Sequence, residues 1–292
     1  MLDFRIQTFL SVCSHMNFTR AAEELHITQP AVTQHIHYLE KLYDTELFLH
    51  EGKKISLTPA GSIFLSTATT LKNDEQFMRE QMKHSATGEA PLLFGVTMTI
   101  GEYVIATPIA HYLKKHPNTD LRIELSNTQE LLSRLSTGEI NFALVEGYFN
   151  TRDYDTLTYR TENFIPVCAA SRKFSPRLCL NDLLGERLIV RESGSGTRDI
   201  LEKNLAVRNI RISDFAHTAE VSSMHTIVKL LTEDCGISFL YETAVQKEVS
   251  QGILKKIPLK DFSMTHDFTF LWNKGSIFAD YYRQICRELT LA

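Results

Sequence analysis

Between positions 4 and 42 the apolar residues trace three short helices, with room for only three residues between the second and third. Phe4, Ile6, Phe9, Leu10 and Val12 mark the first helix. Asn17 and Thr19 flank Phe18 at the start of the second, which runs through Arg20, Ala21, Ala22, Glu23 and Glu24 to Leu25. His26, Ile27 and Thr28 form the connection. Thr28 suits an N-cap, and Pro30 falls early in the third helix, where its missing N–H is harmless. Val32, Ile36 and Leu39 then recur at i, i+4 and i+7, a single apolar stripe. Ala21 and Ala22 are small enough for two helices to cross closely. The spacing predicts a helix-turn-helix.

The opposite face of the third helix carries Gln29, Thr33, Gln34 and His37, with Ala31 and His35 toward its flanks. Glutamine pairs with adenine in a major groove, and threonine and alanine touch a thymine methyl. A plain solvated helix face has the same composition, so both readings stand at this point. Charge argues against strong phosphate attraction. Residues 1–60 hold five Lys/Arg (Arg5, Arg20, Lys41, Lys53, Lys54) against seven Asp/Glu, and the whole chain carries −4. Each neutralised phosphate adds about 0.9 to the salt slope of DNA binding, so few cations mean a shallow slope. Either protonated histidines compensate, raising affinity below about pH 6.5, or the histidines are neutral and make ordinary hydrogen bonds.

Thr58 and Pro59 are start signals for a long helix. Phe64, Ala68, Leu71, Glu75, Met78 and Met82 form a heptad seam, interrupted at Glu75. Such a seam either pairs with a second chain or packs on its own domain. Ser85, Thr87, Gly88, Glu89 and Pro91 break the helix and predict a hinge.

From Leu92 onward strands and helices alternate. Strands are expected at Leu92–Val96, Asp120–Leu125, Asn141–Val145, Phe164–Ala169, Arg187–Arg191, near Ala216, at Gly236–Leu240 and at Asp267–Trp272. Helices are expected from the first strand to about His116, at Gln129–Ser136, from Thr197, at Ser223–Thr232 and at Ile277–Leu289. This order implies parallel sheets with crossover helices, an α/β class, arranged as two lobes. Ligands in such sheets bind beyond the carboxyl ends of strands. Two loops sit there: Thr97, Met98, Thr99 and Ile100, and Arg191 to Arg198. In the second, Gly194 and Gly196 admit a close ligand, Ser193, Ser195 and Thr197 add hydroxyls, and helix N-termini favour anions. Thr128 is expected to cap another helix facing the same cleft, and Arg198 to pair with a carboxylate or oxyanion. An ordinary glycine-containing strand-to-helix loop has the same residues, so this reading too has an alternative.

The chain has 292 residues, 43% of them hydrophobic, enough for two or three packed units. No run of about 18 apolar residues marks a membrane span and the N-terminus lacks signal-peptide layout, so a cytoplasmic protein without membrane contact is expected. Cys13, Cys168, Cys179, Cys235 and Cys286 are scattered, without zinc spacing, and read as reduced thiols. Gly194-x-Gly196 lacks the rest of a dinucleotide fingerprint, no GxSxG surrounds Ser193 or Ser195, and Walker A and HExxH sequences are missing. No catalytic residue, metal or cofactor is expected, and the chain is not read as an enzyme.

The run Phe9 to Phe48, with Asn17–Phe18, Ala21–Ala22, Leu25, Gln29–Pro30–Ala31–Val32, Ile36, Leu39–Glu40 and Leu47–Phe48, followed by Leu57–Thr58–Pro59–Ala60–Gly61, resembles the start of the LysR-type transcriptional regulators. The resemblance implies a winged helix-turn-helix over 1–58, its wing spanning roughly Glu46 to Leu57. A linker and dimerisation helix over 59–88 follows. A periplasmic-binding-protein-like effector domain over 89–292 completes the chain, with lobe I at 89–161 and 266–292 and lobe II at 162–265. DNA contact is then expected from Asn17, Arg20, Thr28, Gln29, Pro30, Ala31, Thr33, Gln34, His37, Lys53 and Lys54. Effector contact is expected from Thr97, Met98, Thr99, Ile100, Thr128 and Ser193 to Arg198. Gln34, His35, His37 and His50 stand where the family often has arginines, which weakens the phosphate reading.

The implied partners are double-stranded promoter DNA with a pseudo-palindromic site, a small anionic effector, a second copy through the linker helix, a tetramer of two dimers, and RNA polymerase. Similar Gly-Ser-Gly-Thr-Arg loops occur in regulators of sulfur, nitrogen and carbon-fixation genes, which suggests an organic acid, phosphate ester or inorganic oxyanion as effector. The competing reading is a cytosolic solute-binding protein with an added interaction module. Whether Gln29, Thr33 and the wing bind DNA separates the two.

Overall fold

The computed structural model describes residues 2–52, 54–84, 91–175 and 177–291. Helices α1 (Phe4–His15), α2 (Phe18–Glu24) and α3 (Gln29–Leu42) form the N-terminal unit. Asn17 caps α2, its Oδ1 accepting from the backbone N–H of Thr19 and Arg20 at 2.9 and 3.0 Å. Thr28 caps α3 through Oγ1, which accepts from the Ala31 N–H at 3.3 Å. These bonds satisfy N–H groups that a helix start leaves orphaned. Phe9, Val12, Ala21, Ala22, Val32, Ile36, Leu39, Leu47 and Phe48 close into one small core. Strands β1 (Phe48–Glu51) and β2 (Lys54–Leu57) pair antiparallel as a wing. Lys53, expected at its tip, lies outside the described residues.

Helix α4 (Pro59–His84) follows. Thr58 Oγ1 accepts from the Gly61 N–H at 2.8 Å and donates to the Glu46 carbonyl at 2.7 Å, fixing the helix start to the wing. The expected seam is not one face. Phe64 packs edge-on to Phe9 at 4.8 Å, and Ala68 is buried. Glu75 accepts from the Leu2 N–H and from Arg79. The second half docks on the C-terminal domain: Asn73 donates to the Leu135 carbonyl at 2.8 Å, and Phe77 packs among Phe278, Tyr281 and Tyr282. The chain's own domains take Phe64, Ala68 and Phe77, and among the described residues the exposed large apolar side chains of α4 are Ile63, Leu71, Met78 and Met82. The expected hinge at Ser85, Thr87, Gly88 and Glu89 lies outside the described residues.

The C-terminal domain runs β3 (Leu92–Thr97), α5 (Met98–Tyr103), α6 (Ala106–Lys115), β4 (Leu121–Ser126), α7 (Thr128–Thr137), β5 (Phe142–Val145) and β6 (Tyr154–Ala169). It continues with β7 (Arg187–Val190), α8 (Gly196–Ala206), β8 (His217–Glu220), α9 (Met224–Thr232) and β9 (Ile237–Tyr241). The last elements are α10 (Glu242–Ser250), β10 (Leu254–Lys256), β11 (Met264–Asn273) and α11 (Ala279–Leu291). Strand order is β4-β3-β5-β11-β6-β9-β7-β8, with β10 beside β6. One lobe holds β3, β4 and β5 in parallel, the other β7, β8 and β9 in parallel. The long strands β6 and β11 pair antiparallel and carry the chain between lobes.

One expectation fails here and one element is additional. The single helix predicted to His116 is broken: the N–H groups of Val104 and Ile105 both donate to the Ile100 carbonyl, which turns the chain before α6 starts. Helix α10 had no predicted counterpart. β5 is buried along its whole length and β3 nearly so, as parallel strands covered on both faces must be. Among the described residues no helix is long and apolar enough to cross a membrane.

Candidate DNA face and effector cleft

A groove of about 530 Å³ separates α3 from the start of α2 and from the wing. Asn17, Gln29, Thr33, His37 and His50 line it. Gln29 Nε2 donates to Thr33 Oγ1 at 2.9 Å, and that hydroxyl donates back to the Gln29 carbonyl at 3.2 Å. The pair must exchange these bonds for base edges if it reads DNA. Pro30 and Gln34 are exposed and Ala31 is half-buried. Arg20, Thr28 and Lys54 are also exposed. His37 Nδ1 lies 3.1 Å from Glu40, whose other oxygen accepts from the Leu47 N–H.

His35 departs from its expected place on the outer flank. It meets Thr8 Oγ1 at 2.9 Å and the edge of Phe4 at 4.8 Å. Burial, then the nearby Arg5, holds its pKa below the usual imidazole value, so this ring is a poor source of positive charge. A cation that the sequence reading counted but did not place at DNA sits close by: the Arg5 guanidinium lies 3.8 Å over the Tyr38 ring on the exposed side of α3.

The cleft is assembled at strand ends. Thr97 closes β3, Glu146 follows β5, Arg191 follows β7 and Tyr241 closes β9. Glu146 is 1% exposed. Its carboxylate accepts from the hydroxyls of Thr97, Thr99 (3.0 Å) and Thr197 (3.1 Å). Its backbone carbonyl accepts from Thr128 Oγ1 at 2.6 Å. Thr97 and Thr99 belong to one lobe and Thr197, in the first turn of α8, to the other. Burial pushes the Glu146 pKa up, and the three hydroxyl bonds and Arg191 partly offset that rise.

The lobes touch where two glycines meet. A Cβ on Gly147, whose φ is +106°, would lie 2.6 Å from the Gly196 Cα. A Cβ on Gly196 would lie 2.1 Å from the Glu146 carbonyl oxygen. Neither position has room for a side chain, and the backbones pack directly.

Arg191 is 3% exposed and grips Glu192 through Nε and Nη2 at 2.8 and 2.9 Å. Among the described residues, its Nη1 and the Oη of Tyr241 have no hydrogen-bond partner. Burial and the Glu146 charge push the Tyr241 hydroxyl far above its ordinary pKa.

Several expected effector residues serve otherwise. Ile100 is fully buried in the hydrophobic core. Met98 packs against the second lobe's core. Thr128 is not the cap of α7: Asn127 is, accepting from the Glu130 N–H at 2.9 Å, and Thr128 turns its hydroxyl to Glu146. Arg198 is drawn away from the cleft by Glu202 (2.8 Å), Glu220 (2.5 Å) and the Arg191 carbonyl (3.2 Å). Ser193 is exposed, Ser195 is buried at the start of α8, and Gly194 has φ +87° with its carbonyl 3.4 Å from the Gln129 N–H. Glu146 and Tyr241 escaped the sequence reading, and Arg191 entered it only as the first residue of the loop that runs to Arg198. Strand-end position was the available signal.

Among the described residues no group of three His, Cys, Asp or Glu is placed to hold a metal. Burial raises the thiol pKa of Cys13 to about 12 and of Cys168 to about 11, which leaves neither reactive.

Residues 5–62 match the family model "Bacterial regulatory helix-turn-helix protein, lysR family", and residues 86–284 match "LysR substrate binding domain". The chain is 27% identical over 278 residues to the HTH-type transcriptional regulator CysL of Bacillus subtilis (strain 168), covering 91% of this chain and 89% of that protein. The fold is similar to the Corynebacterium glutamicum OxyR C206 mutant, with TM-score 0.61, 23% identity, and 99% and 90% of the two chains covered. It is also similar to the Synechocystis PCC6803 CcmR regulatory domain in complex with 2-PG, with TM-score 0.62, 17% identity, and 69% and 96% covered.

Proposed function

The chain belongs to the LysR family of DNA-binding transcriptional regulators, and we propose that a small anionic effector, held between the two lobes, sets how it engages its promoter. It is a regulator with an effector-binding domain, not an enzyme. The observation that carries the effector reading is the convergence of Thr97, Thr99 and Thr197, from both lobes, on a single carboxylate. Hydroxyls beside helix N-termini at strand ends stabilise a negative oxygen. Small carboxylates and phosphate esters offer that oxygen, and CcmR, a neighbour in fold, is described with 2-PG.

The promoter is read by α3 and the wing, with Gln29, Thr33, Gln34 and His37 toward base edges and Asn17, Arg20, Lys53 and Lys54 toward phosphates. Two copies pair through the exposed stripe Ile63, Leu71, Met78 and Met82 of α4. Two such dimers form a tetramer on a pseudo-palindromic site in the cytoplasm, where RNA polymerase is contacted. An effector acts only by favouring one arrangement of lobes over another. That choice alters the spacing of the DNA-reading pairs.

The test is fluorescence anisotropy on DNA from upstream of the protein's own gene, with excess random DNA. Gln29→Ala with Thr33→Ala should abolish specific binding, since each good base contact is worth about 1–3 kcal/mol. Thr97→Val with Thr197→Val should keep DNA binding and lose the response to cell metabolites. Unchanged specific binding by the first pair removes α3 as the reader. An intact metabolite response in the second removes the cleft as the effector site.

A further inference from the structure

The cleft contains more donors than Glu146 and Glu192 use. Three threonine hydroxyls already donate to Glu146. Arg191 Nη1 and Tyr241 Oη, both almost fully buried at neighbouring strand ends, donate to nothing among the described residues. Buried donors without acceptors cost about 1–3 kcal/mol each, so two of them at neighbouring strand ends favour a second acceptor there. A second acid cannot simply join Glu146. Two carboxylates in one dry site repel, and one must move or take a proton.

We propose that Glu146 is a resident mimic of the effector: its carboxylate occupies the Thr97–Thr99–Thr197 cradle that the effector's own carboxylate takes, and binding moves Glu146 toward Arg191 and Tyr241. This rests on the cleft being the effector site. The geometry supports it in three ways. Glu146 reaches hydroxyls on both lobes, as a bridging ligand does. Its neighbour Gly147 lies against Gly196, so the resident acid and the lobe contact belong to one segment. The Arg191 guanidinium has one edge on Glu192 and the Nη1 donor free to receive a displaced carboxylate. Effector and Glu146 then compete for one set of hydroxyls, and the tethered acid sets the concentration at which the regulator responds. Even flexible tethers give effective concentrations on the order of millimolar, so weakly bound metabolites leave the resident in place.

The test uses acetate as a carboxylate probe and full-length protein, with thermal unfolding followed at constant ionic strength against chloride. Glu146→Ala should melt below wild type, and acetate should restore its Tm saturably. Its half-response should come at about one tenth or less of the acetate concentration that affects wild type. Thr197→Val in the Glu146→Ala background should abolish the effect. If Glu146→Ala does not fold, Glu146→Gln keeps the shape without the charge and should respond at acetate concentrations too low to affect wild type. A Glu146→Ala or Glu146→Gln protein as indifferent to acetate as wild type overturns the proposal, as does a response that survives Thr197→Val. DNA footprints with and without acetate separate this from the effector reading. Saturable acetate uptake with an unchanged footprint keeps the cradle and removes its regulatory role. Loss of acetate uptake, with a metabolite response still abolished by Thr97→Val and Thr197→Val, removes the mimic and keeps the cleft as effector site.

Discussion

Asp74 of the linker helix and Ser276 of the turn before α11, 202 positions apart, meet at 2.5 Å, the serine hydroxyl donating to the buried carboxylate. The other carboxylate oxygen accepts from the Ile277 N–H at 2.9 Å. Helix α4, which starts on the wing, is thereby fastened to the effector domain. Asp74→Ala leaves both donors without that carboxylate in a buried part of the contact. A loss of about 1–3 kcal/mol is expected, together with looser coupling between effector occupancy and DNA affinity. Chemical denaturation gives the first quantity, and DNA titration with and without effector gives the second. A variant as stable and as responsive as wild type disconnects Asp74 from signalling.

Gly196 has no room for a methyl group, because its Cβ would lie 2.1 Å from the Glu146 carbonyl oxygen. Gly196→Ala should force the lobes apart at a cost of about 1–3 kcal/mol, in the range of overpacked cores. Gly185, with nothing within 4 Å of its Cβ position, is the control. Calorimetry should find Gly196→Ala destabilised and Gly185→Ala close to wild type. Equal melting of the two contradicts the close lobe contact.

Two acids give stability opposite slopes with pH. Hydrogen bonds from Lys115 and His116, between α6 and α11, hold Glu288 well below the usual carboxylate range, at about 2. The folded state therefore binds fewer protons than the unfolded one below about pH 4.3, and this contribution fades as pH falls toward 2. Glu288→Gln should flatten the acid limb of the stability curve. Glu146 is raised by burial, so the folded state binds the extra proton. Its contribution is complete below the unfolded carboxyl value and is lost as pH rises through the native one. Glu146→Gln should remove that second slope. Melting curves between pH 3 and 8, taken as a range of about five units around the ordinary carboxyl value, check both signs.

His35 is held below its ordinary pKa by burial beside Thr8 and Phe4. His35→Gln should leave the pH profile of DNA binding unchanged between about pH 6 and 8, the window in which free imidazoles titrate. Any rise in affinity toward acid should persist in His35→Gln at the wild-type size. A profile abolished by His35→Gln alone reverses this assignment.

The DNA-reading unit was legible because its signals are local. Asn17, Thr28 and Pro30 act within a turn of themselves, and the stripe Val32, Ile36, Leu39 needs only helical periodicity. The cleft was half legible. Thr97, Thr99 and Thr197 sit in loops whose composition announces a helix start. Glu146 and Tyr241 enter buried sequence as single polar residues, and only the strand order brings them to Arg191 at the head of its loop. Loop position does not say which way a side chain turns: Ile100 is buried in the core, and the carboxylates that Arg198 meets are the chain's own Glu202 and Glu220, the latter 22 positions downstream. The α4 seam was misplaced because periodicity cannot tell a partner helix from the chain's own domains, which claimed Phe64, Ala68 and Phe77.

The ladder between β6 and β11 runs from Tyr154 opposite Asn273 to Phe164 opposite Met264, with one irregularity at Phe268/Thr269. Sliding one strand by a single residue would turn buried Phe268, Phe270 and Trp272 to the other face, so translation of one lobe past the other is barred. Bending and twisting of the ribbon keep every rung intact. Among the described residues, the motion this ladder leaves open between the lobes is a change of angle, and a ligand that favoured one angle would act on helix α4 as a rotation through the contact Asp74 makes.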